Sequence, residues 1–159
     1  MHTITLNPIG IVHSPHKTKE GSPLQPSRLQ RSAGEVEIFP QFQPGLKDLE
    51  GFSKIFLVFH FHKMTEFKLE VIPYLDDQSR GIFATRAPSR PNPIGLSVVD
   101  LISIESGILK VDGLDILDGT PLLDIKPFIP EIDHSEGISV GWLEGKTRHF
   151  QTHKADNRF

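Results

Sequence analysis

The stretch SKIFLVFHF, residues 53–61, is the part of the sequence that bears most directly on the fold. Its apolar residues occupy both sets of alternating positions, so both faces of an extended strand would be apolar. Such a segment is typical of a strand that lies inside a sheet and is covered on both sides. Residues 53–61 therefore predict a central strand, and the rest of the fold is built outward from it.

Other short segments with strand-like patterns surround this one, and thirteen glycines and thirteen prolines favour strands and loops over long helices. The further predicted strands are Ile4–Val12 (interrupted by Pro8), Glu35–Phe39, Leu69–Leu75, Gly81–Thr85, Ser97–Ser106 and Ile108–Leu117. Residues 44–51 predict one or two helical turns. Many short strands joined by turns indicate a mainly β domain, either a barrel or a sandwich. The sequence has no G-x-G-x-x-G or Walker loop, which argues against a Rossmann or P-loop nucleotide site.

The composition restricts the class of protein. The chain has 159 residues, 37% hydrophobic and 23% charged, as expected of one globular domain. It has no cysteine, which excludes disulfides, thiolate metal sites and a cysteine nucleophile. No apolar run approaches the roughly 20 residues of a membrane span, and the first ten residues lack a signal-peptide pattern. We therefore expect a cytoplasmic protein without a membrane partner.

The charge distribution bears on nucleic-acid partners. The formal net charge of −3 argues against a surface that coats nucleic acid in general, and we expect no DNA partner. Residues 80–99 nevertheless contain three arginines and no acidic residue, whereas residues 112–136 contain seven acids and one lysine. This asymmetry has two interpretations: local contact of the basic segment with a polyanion, or ordinary salt bridges between the two segments within the fold.

The segment RAPSRPNPIG, residues 86–95, combines rigidity with hydrogen-bonding groups. Its three prolines fix their own φ and restrict the residues before them, so the segment would lose little entropy on binding a ligand. Arg86 and Arg90 offer planar donor groups that suit a carboxylate or a phosphate. Asn92 has a donor and an acceptor that can pair with the edge of an adenine. The alternative is a stiff turn whose arginines form weak surface ion pairs.

Two histidines lie at the end of the central strand, in the sequence Phe59-His60-Phe61-His62. If the strand continues through residue 62, both imidazoles point to the same face. An H-x-H pair on a strand can bind zinc or iron when a third ligand comes from elsewhere. The same pair can instead be two hydrogen-bonded histidines at a strand end, and we predict no metal.

Two aspartates lie near the end of the predicted strand 108–117. Asp115 interrupts an apolar run, and a buried carboxylate is costly unless it is hydrogen-bonded, so a ligand contact is plausible there. Asp118 precedes Gly119, a combination that marks a turn, so Asp118 can equally have only a backbone-shaping role.

Several motifs between about residues 5 and 133 occur together in one known family. They are Pro8-Ile-Gly10, Ser14-Pro15, Pro23-Leu-Gln25-Pro26, Gly51-Phe52-Ser53, Phe61-His62, Phe83-Ala-Thr-Arg86, Arg90-Pro-Asn-Pro-Ile-Gly95 and Asp115-x-x-Asp118-Gly-Thr-Pro121-x-x-Asp124-Ile-Lys-Pro127. The chain thereby resembles the TrmO (YaeB, TsaA-like) family of tRNA methyltransferases. The last two motifs are long and highly specific.

The resemblance implies a small single-sheet β-barrel methyltransferase that is not of the Rossmann type and that works as a homodimer. It implies S-adenosyl-L-methionine as the cofactor and a tRNA anticodon loop as the partner. The substrate would be threonylcarbamoyladenosine at position 37, next to the anticodon, methylated on N6. The cofactor-contacting positions that the resemblance implies are Pro26, Ser27, Arg28, His62, Lys63, Arg86, Leu96, Asp112, Gly113, Leu114 and Asp115.

The roles of individual residues in such a reaction are hypotheses. We consider His62 and Asp118 as acceptors of the N6 proton. Arg86 would bind the methionine carboxylate, which leaves Arg90 for the threonyl carboxylate of the substrate, with Asn92 beside them. Asp115, or the backbone of residues 112–114, would hold the cationic end of the cofactor or its ribose.

The expected domain organisation is a barrel domain at residues 1–145 followed by a polar, basic tail at 146–159, either mobile or reaching a partner subunit. Many bacterial members of the family carry a further C-terminal domain. Two other functional classes stay open at this point. One is a metal-dependent hydrolase or isomerase that uses His60 and His62, and the other is a non-catalytic module that binds S-adenosyl-L-methionine or tRNA.

Overall fold

The computed structural model describes residues 2–18 and 32–147. Its strands are β1 Gly10–His13, β2 Ala33–Ile38, β3 Lys54–His60, β4 Glu70–Val71, β5 Arg80–Gly81, β6 Ile94–Glu105, β7 Ile108–Asp112 and β8 Thr120–Pro127. Six of these strands close into an antiparallel barrel in the order β1-β2-β7-β6-β3-β8, and β4 and β5 form a separate two-stranded sheet. The expected mainly β barrel is therefore confirmed.

Strand β3 is central, as its sequence predicts. It pairs with β6 on one side and β8 on the other, with Leu57 opposite Ser97 and Ile125. Leu57 and its alternate neighbours are buried inside the barrel. The outer face is apolar because it is also partly covered, for example by Phe128, whose ring centroid lies 5.5 Å from that of Phe56.

One continuous core fills the barrel. Its fully buried side chains are drawn from nearly every strand, and each contributes roughly 1.5–3 kcal/mol through the removal of apolar surface from water. The core residues are Val12, Val36, Ile38, Ile55, Leu57, Phe59, Val99, Leu109, Val111, Leu114, Ile116 and Leu122. Gly10 permits β1 to approach β2 closely, because a Cβ atom there would lie 2.1 Å from the carbonyl oxygen of Glu37.

Strand β8 was not predicted, although it connects β1 to β3 and closes the barrel. Its sequence is typical of a turn-rich loop, because it contains Pro121, Asp124 and Pro127. Burial overrides this local preference, since Thr120 and Leu122 are both enclosed by the barrel.

Four predicted strands are shorter than expected. Of the predicted strand at residues 4–12, only Gly10–Val12 is extended in a sheet, and of the predicted strand at residues 69–75, only Glu70–Val71 is. The segment 81–85 contributes Gly81 to β5 and then turns into a 3-10 helix, Ile82–Ala84. The segment 108–117 leaves the sheet after Asp112, where Gly113 has a φ of 89°, a left-handed conformation that glycine tolerates best.

The helices are short. Two 3-10 helices, Pro40–Leu46 and Leu49–Gly51, account for the helical turns predicted at 44–51. A one-turn α-helix, Pro130–Asp133, follows β8, and a further 3-10 helix spans Gly141–Leu143. Within residues 2–18 and 32–147, no helix is long and apolar enough to cross a membrane.

Candidate functional site

A cavity of about 840 Å³ opens at one end of the barrel, a volume within the range of roughly 300–1,000 Å³ that is usual for ligand pockets. It is bounded by the residues that follow β3, by residues 82–90, by the beginning of β6, and by residues 115–120. We refer to residues 82–90 as the arginine loop. Six predicted site residues line this cavity: His62, Lys63, Arg86, Arg90, Leu96 and Asp115.

Asp115 is the acidic side chain of the cavity lining. Its carboxylate accepts a hydrogen bond of 2.6 Å from the hydroxyl of Ser97, which is buried on β6. Burial raises the pKa of Asp115 to about 7, and the Ser97 hydrogen bond and the charge of Arg86 only partly offset this effect. The carboxyl group therefore exchanges its proton near neutral pH, and it does so close to a guanidinium group.

Arg90 holds the arginine loop together. Its Nη1 donates to the carbonyl oxygens of Ile82 at 3.1 Å, Thr85 at 2.9 Å and Ala87 at 3.3 Å. Its guanidinium also lies 5.7 Å from the centre of the Phe83 ring. Nη1 of Arg90 is therefore already shared among backbone carbonyls, and the expectation that Arg90 binds the substrate stays a prediction.

His62 lies just beyond the end of β3, not on it. Its backbone N–H donates to the carbonyl oxygen of His60 at 2.8 Å, which turns the chain after residue 60. The prediction that both imidazoles share one strand face is therefore wrong: His62 lines the cavity and His60 does not. The Nδ1 atom of His62 lies 3.3 Å from the hydroxyl of Thr120, another buried cavity residue.

The imidazole of His62 is neutral at pH 7. Burial lowers its pKa below the usual value, and the charges of Lys63 and His60 lower it further. Among the residues that the structure describes, no group of three histidine, aspartate or glutamate side chains is arranged to hold a metal ion. The H-x-H pair therefore has no third ligand in that part of the chain.

Five other predicted residues do not line the cavity: Asn92, Asp112, Gly113, Leu114 and Asp118. Leu114 is completely buried in the core, and the backbone N–H groups of Gly113 and Leu114 both donate to the Ser32 carbonyl oxygen. These two backbone donors are therefore already satisfied.

Asp118 contacts residues that follow β1 and not the cavity. It accepts a hydrogen bond of 3.0 Å from the backbone N–H of Ser14 and pairs with the Lys17 ammonium at 2.6 Å. The Lys17 contact, followed by that of Ser14, lowers the pKa of Asp118, so it is a weaker proton acceptor than an ordinary aspartate. The remaining predicted residues, Pro26, Ser27 and Arg28, lie outside the described part of the chain.

The cavity residues that were not predicted include Ser97, Thr120, Trp142 and Leu143. Ser97 carried a usable signal, because it is a polar residue between Leu96 and Val98 at a position that alternation predicts to face inward. Trp142 and Leu143 carried none, because they lie far along the chain from the other cavity residues and reach the cavity only through the fold.

Comparisons with known proteins agree with this geometry. The family model "tRNA-methyltransferase O N-terminal domain" matches residues 11–134. A probable S-adenosyl-L-methionine-binding protein of Pyrococcus abyssi is 49% identical over 156 residues, which is 98% of this chain and 85% of that protein. The tRNA (adenine(37)-N6)-methyltransferase of Escherichia coli is 37% identical over 91% of this chain and 66% of its own length.

A crystal structure of TrmO from Pseudomonas aeruginosa has the same fold, with a TM-score of 0.75 and 38% sequence identity. The match covers 89% of this chain and 63% of the TrmO chain, so this protein spans less than two thirds of that structure. Because the family model covers well over half of the sequence and the relatives are this similar, the chain belongs to the tRNA-methyltransferase O N-terminal domain family.

Proposed function

We propose that this protein is an S-adenosyl-L-methionine-dependent tRNA methyltransferase that methylates N6 of adenine 37, with threonylcarbamoyladenosine as its substrate. This proposal depends mainly on one observation: three ionisable side chains line the same cavity of this protein, which belongs to the family. They are the Asp115 carboxyl, the Arg86 guanidinium and the neutral His62 imidazole. The names of the Escherichia coli and Pyrococcus abyssi relatives support the reaction and the cofactor respectively.

The cavity suits S-adenosyl-L-methionine chemically. This cofactor has an aromatic base, a cationic sulfonium, and an amino acid moiety that carries an ammonium and a carboxylate. The rings of Phe59 and Phe61, in contact edge to face at 5.2 Å, supply an apolar wall for a base. Arg86 is the donor group for the carboxylate, and ionised Asp115 is the partner for a positive charge. When bound, the cofactor supplies an electrophilic methyl group.

The residues of this chain would orient the acceptor nitrogen and remove its proton. N6 of the substrate lies between a purine and a carbamoyl group, so its proton is more acidic than that of a simple aminopurine, and a modest base suffices. His62 is the better of the two predicted acceptors, because its imidazole is neutral and lines the cavity. Asp118 is held by Lys17 and Ser14 outside the lining.

The threonyl carboxylate of the substrate requires a cation. Arg90 was the predicted partner, but its Nη1 is shared among loop carbonyls. Lys63 is exposed and lines the same cavity, and we propose it as the partner instead. A base in an anticodon loop can be splayed out into such a cavity at low cost, unlike a base stacked within a stem.

The homodimer and the cytoplasmic location, which the resemblance and the sequence led us to expect, stay predictions. Light scattering of the purified protein would test the first. The acidic net charge favours local, salt-sensitive contact with tRNA over tight binding across a wide surface.

Calorimetric titration of the purified protein with S-adenosyl-L-methionine tests the proposal. We expect binding that is at least about tenfold weaker in Arg86→Ala, because the carboxylate of the cofactor loses its donor pair. Methyl transfer to tRNA with and without the threonylcarbamoyl group then tests the substrate. Binding without transfer to either tRNA would favour a non-catalytic module, and transfer to unmodified tRNA would overturn the proposed substrate.

A further inference from the structure

Residues 141–146, which we call the strap, lie across one side of the cavity. The strap begins with the 3-10 helix Gly141–Leu143 and lies beyond residues 11–134, the part matched by the family model. Trp142 and Leu143 line the cavity, and the indole Nε1 of Trp142 donates to the carbonyl oxygen of Ala84 at 2.7 Å. The strap therefore contacts the arginine loop directly, two residues before Arg86.

A charged anchor holds the strap in place. The side chain of Asp76 is 3% exposed, and its carboxylate lies 3.0 Å from Nζ of Lys146 and 2.8 Å from Nη2 of Arg80. The hydrogen bond from Lys146, with further help from Arg80, holds the pKa of Asp76 well below its usual range. A carboxylate this enclosed is costly without its partners, so the anchor holds the strap against the cavity.

The anchor and the indole form one cluster. The Arg80 guanidinium lies 5.6 Å from the centre of the Trp142 ring, and the Lys146 ammonium lies 5.8 Å from it. Both cations that pair with Asp76 therefore also contact the ring face, a favourable arrangement for a cation and an indole. Loss of Asp76 would disturb the position of Trp142 directly.

We propose that the strap positions the arginine loop, with Trp142 as the positioning residue and Asp76 as its anchor. A loop that is already held when the ligand arrives loses less entropy on binding, so Arg86 is presented in place. The strap should position the arginine loop even when no ligand is bound. The effect of this positioning on cofactor binding rests on the proposed function.

The position of the strap has a spectroscopic signal, because Trp142 is the only tryptophan in the chain. In Asp76→Asn we expect the emission of Trp142 to shift to the red and its quenching by acrylamide to increase. The loop is measured separately, without ligand, by the rate of trypsin cleavage at the Arg86–Ala87 bond. We expect about fivefold faster cleavage when the strap is released, because cleavage follows local opening.

Asp124→Asn is the matched control. Asp124 pairs with a lysine at 2.8 Å and also accepts from the N–H of the next residue, as Asp76 does, but its partner Lys126 lies on β8 and not in the strap. Trp142→Phe is a second variant that keeps an aromatic ring, removes the indole donor to Ala84 and reduces the ring surface that faces Arg80 and Lys146. It should also speed cleavage at Arg86–Ala87, and both variants should weaken cofactor binding about tenfold.

Unchanged cleavage at Arg86–Ala87 in both Asp76→Asn and Trp142→Phe would overturn the inference, whether or not the cofactor binds. If cleavage rises but the wild-type protein binds no S-adenosyl-L-methionine even with tRNA present, the proposed function fails and the positioning role stands. A red shift and faster cleavage in Asp124→Asn as well would also overturn it, because the effect would then be general.

Discussion

Asp115 is the residue whose ionisation should be visible in ligand binding. Its pKa is raised to about 7 by burial, so its carboxyl group is neutral below that pH and ionised above it. If the ionised form holds the cationic part of S-adenosyl-L-methionine, affinity should increase by up to about tenfold between pH 6 and pH 8. Calorimetry at both pH values measures this change.

The control for this prediction is Asp115→Asn, which should bind weakly at both pH values and show a flat profile. His62 also lines the cavity, and burial lowers its pKa, so its ionisation does not account for a change centred near pH 7. A profile that stays steep in Asp115→Asn would assign the titration to another group.

The raised pKa of Asp115 should also make the stability of the protein depend on pH in a predictable direction. The pKa of an aspartate is about 4 in the unfolded chain, and burial raises that of Asp115 to about 7 in the folded protein. The carboxyl group therefore stabilises the fold in acid, and this contribution is lost as the pH rises from about 4 to about 7. The melting temperature of the wild type should therefore fall relative to that of Asp115→Asn between pH 5 and pH 7. A constant difference between the two proteins would contradict the burial of Asp115.

At the level of elements, the contact between β1 and β2 depends on Gly10. A Cβ atom there would lie 2.1 Å from the Glu37 carbonyl oxygen, a backbone atom that cannot move without separating the strands. We expect Gly10→Ala to reduce the free energy of unfolding by about 1–3 kcal/mol, as overpacking usually does. Denaturant unfolding measures this difference.

Gly45→Ala is the matched control, because a Cβ at that position would meet nothing within 4 Å. It should be neutral or slightly stabilising, since alanine restricts the unfolded chain. Equal stability of the two variants would show that β1 can move away from β2 without cost.

The elements also show what the sequence could predict. β3 and β6 were located from their apolar patterns, because both are long and their alternate residues are buried inside the barrel. β8 was missed because its prolines and charges oppose a strand locally, and only closure of the barrel stabilises it. The segment 108–117 was extended too far because its apolar residues, including Leu114, are buried in the core without being part of the sheet.

Across the whole molecule, the candidate site was only partly predictable. His62, Arg86 and Asp115 were identified from their motifs, and the fold brings all three to one cavity. The hydrogen bonds from Arg90 to three carbonyls of its own loop were not predicted, because such contacts leave no pattern in the sequence. Trp142 was missed because a contact across 58 residues has no local signature.

Because the cavity joins elements from distant parts of the chain, a ligand bound there should stabilise the whole barrel. At about one hundred times its dissociation constant, S-adenosyl-L-methionine should add about 2.7 kcal/mol, which for a domain of this size corresponds to a rise of roughly 5–10 °C in melting temperature. Arg86→Ala, measured by scanning calorimetry at the same cofactor concentration, should show a clearly smaller rise. If calorimetric titration shows saturation of the wild type but its melting temperature does not change, the cofactor must bind the unfolded chain equally well.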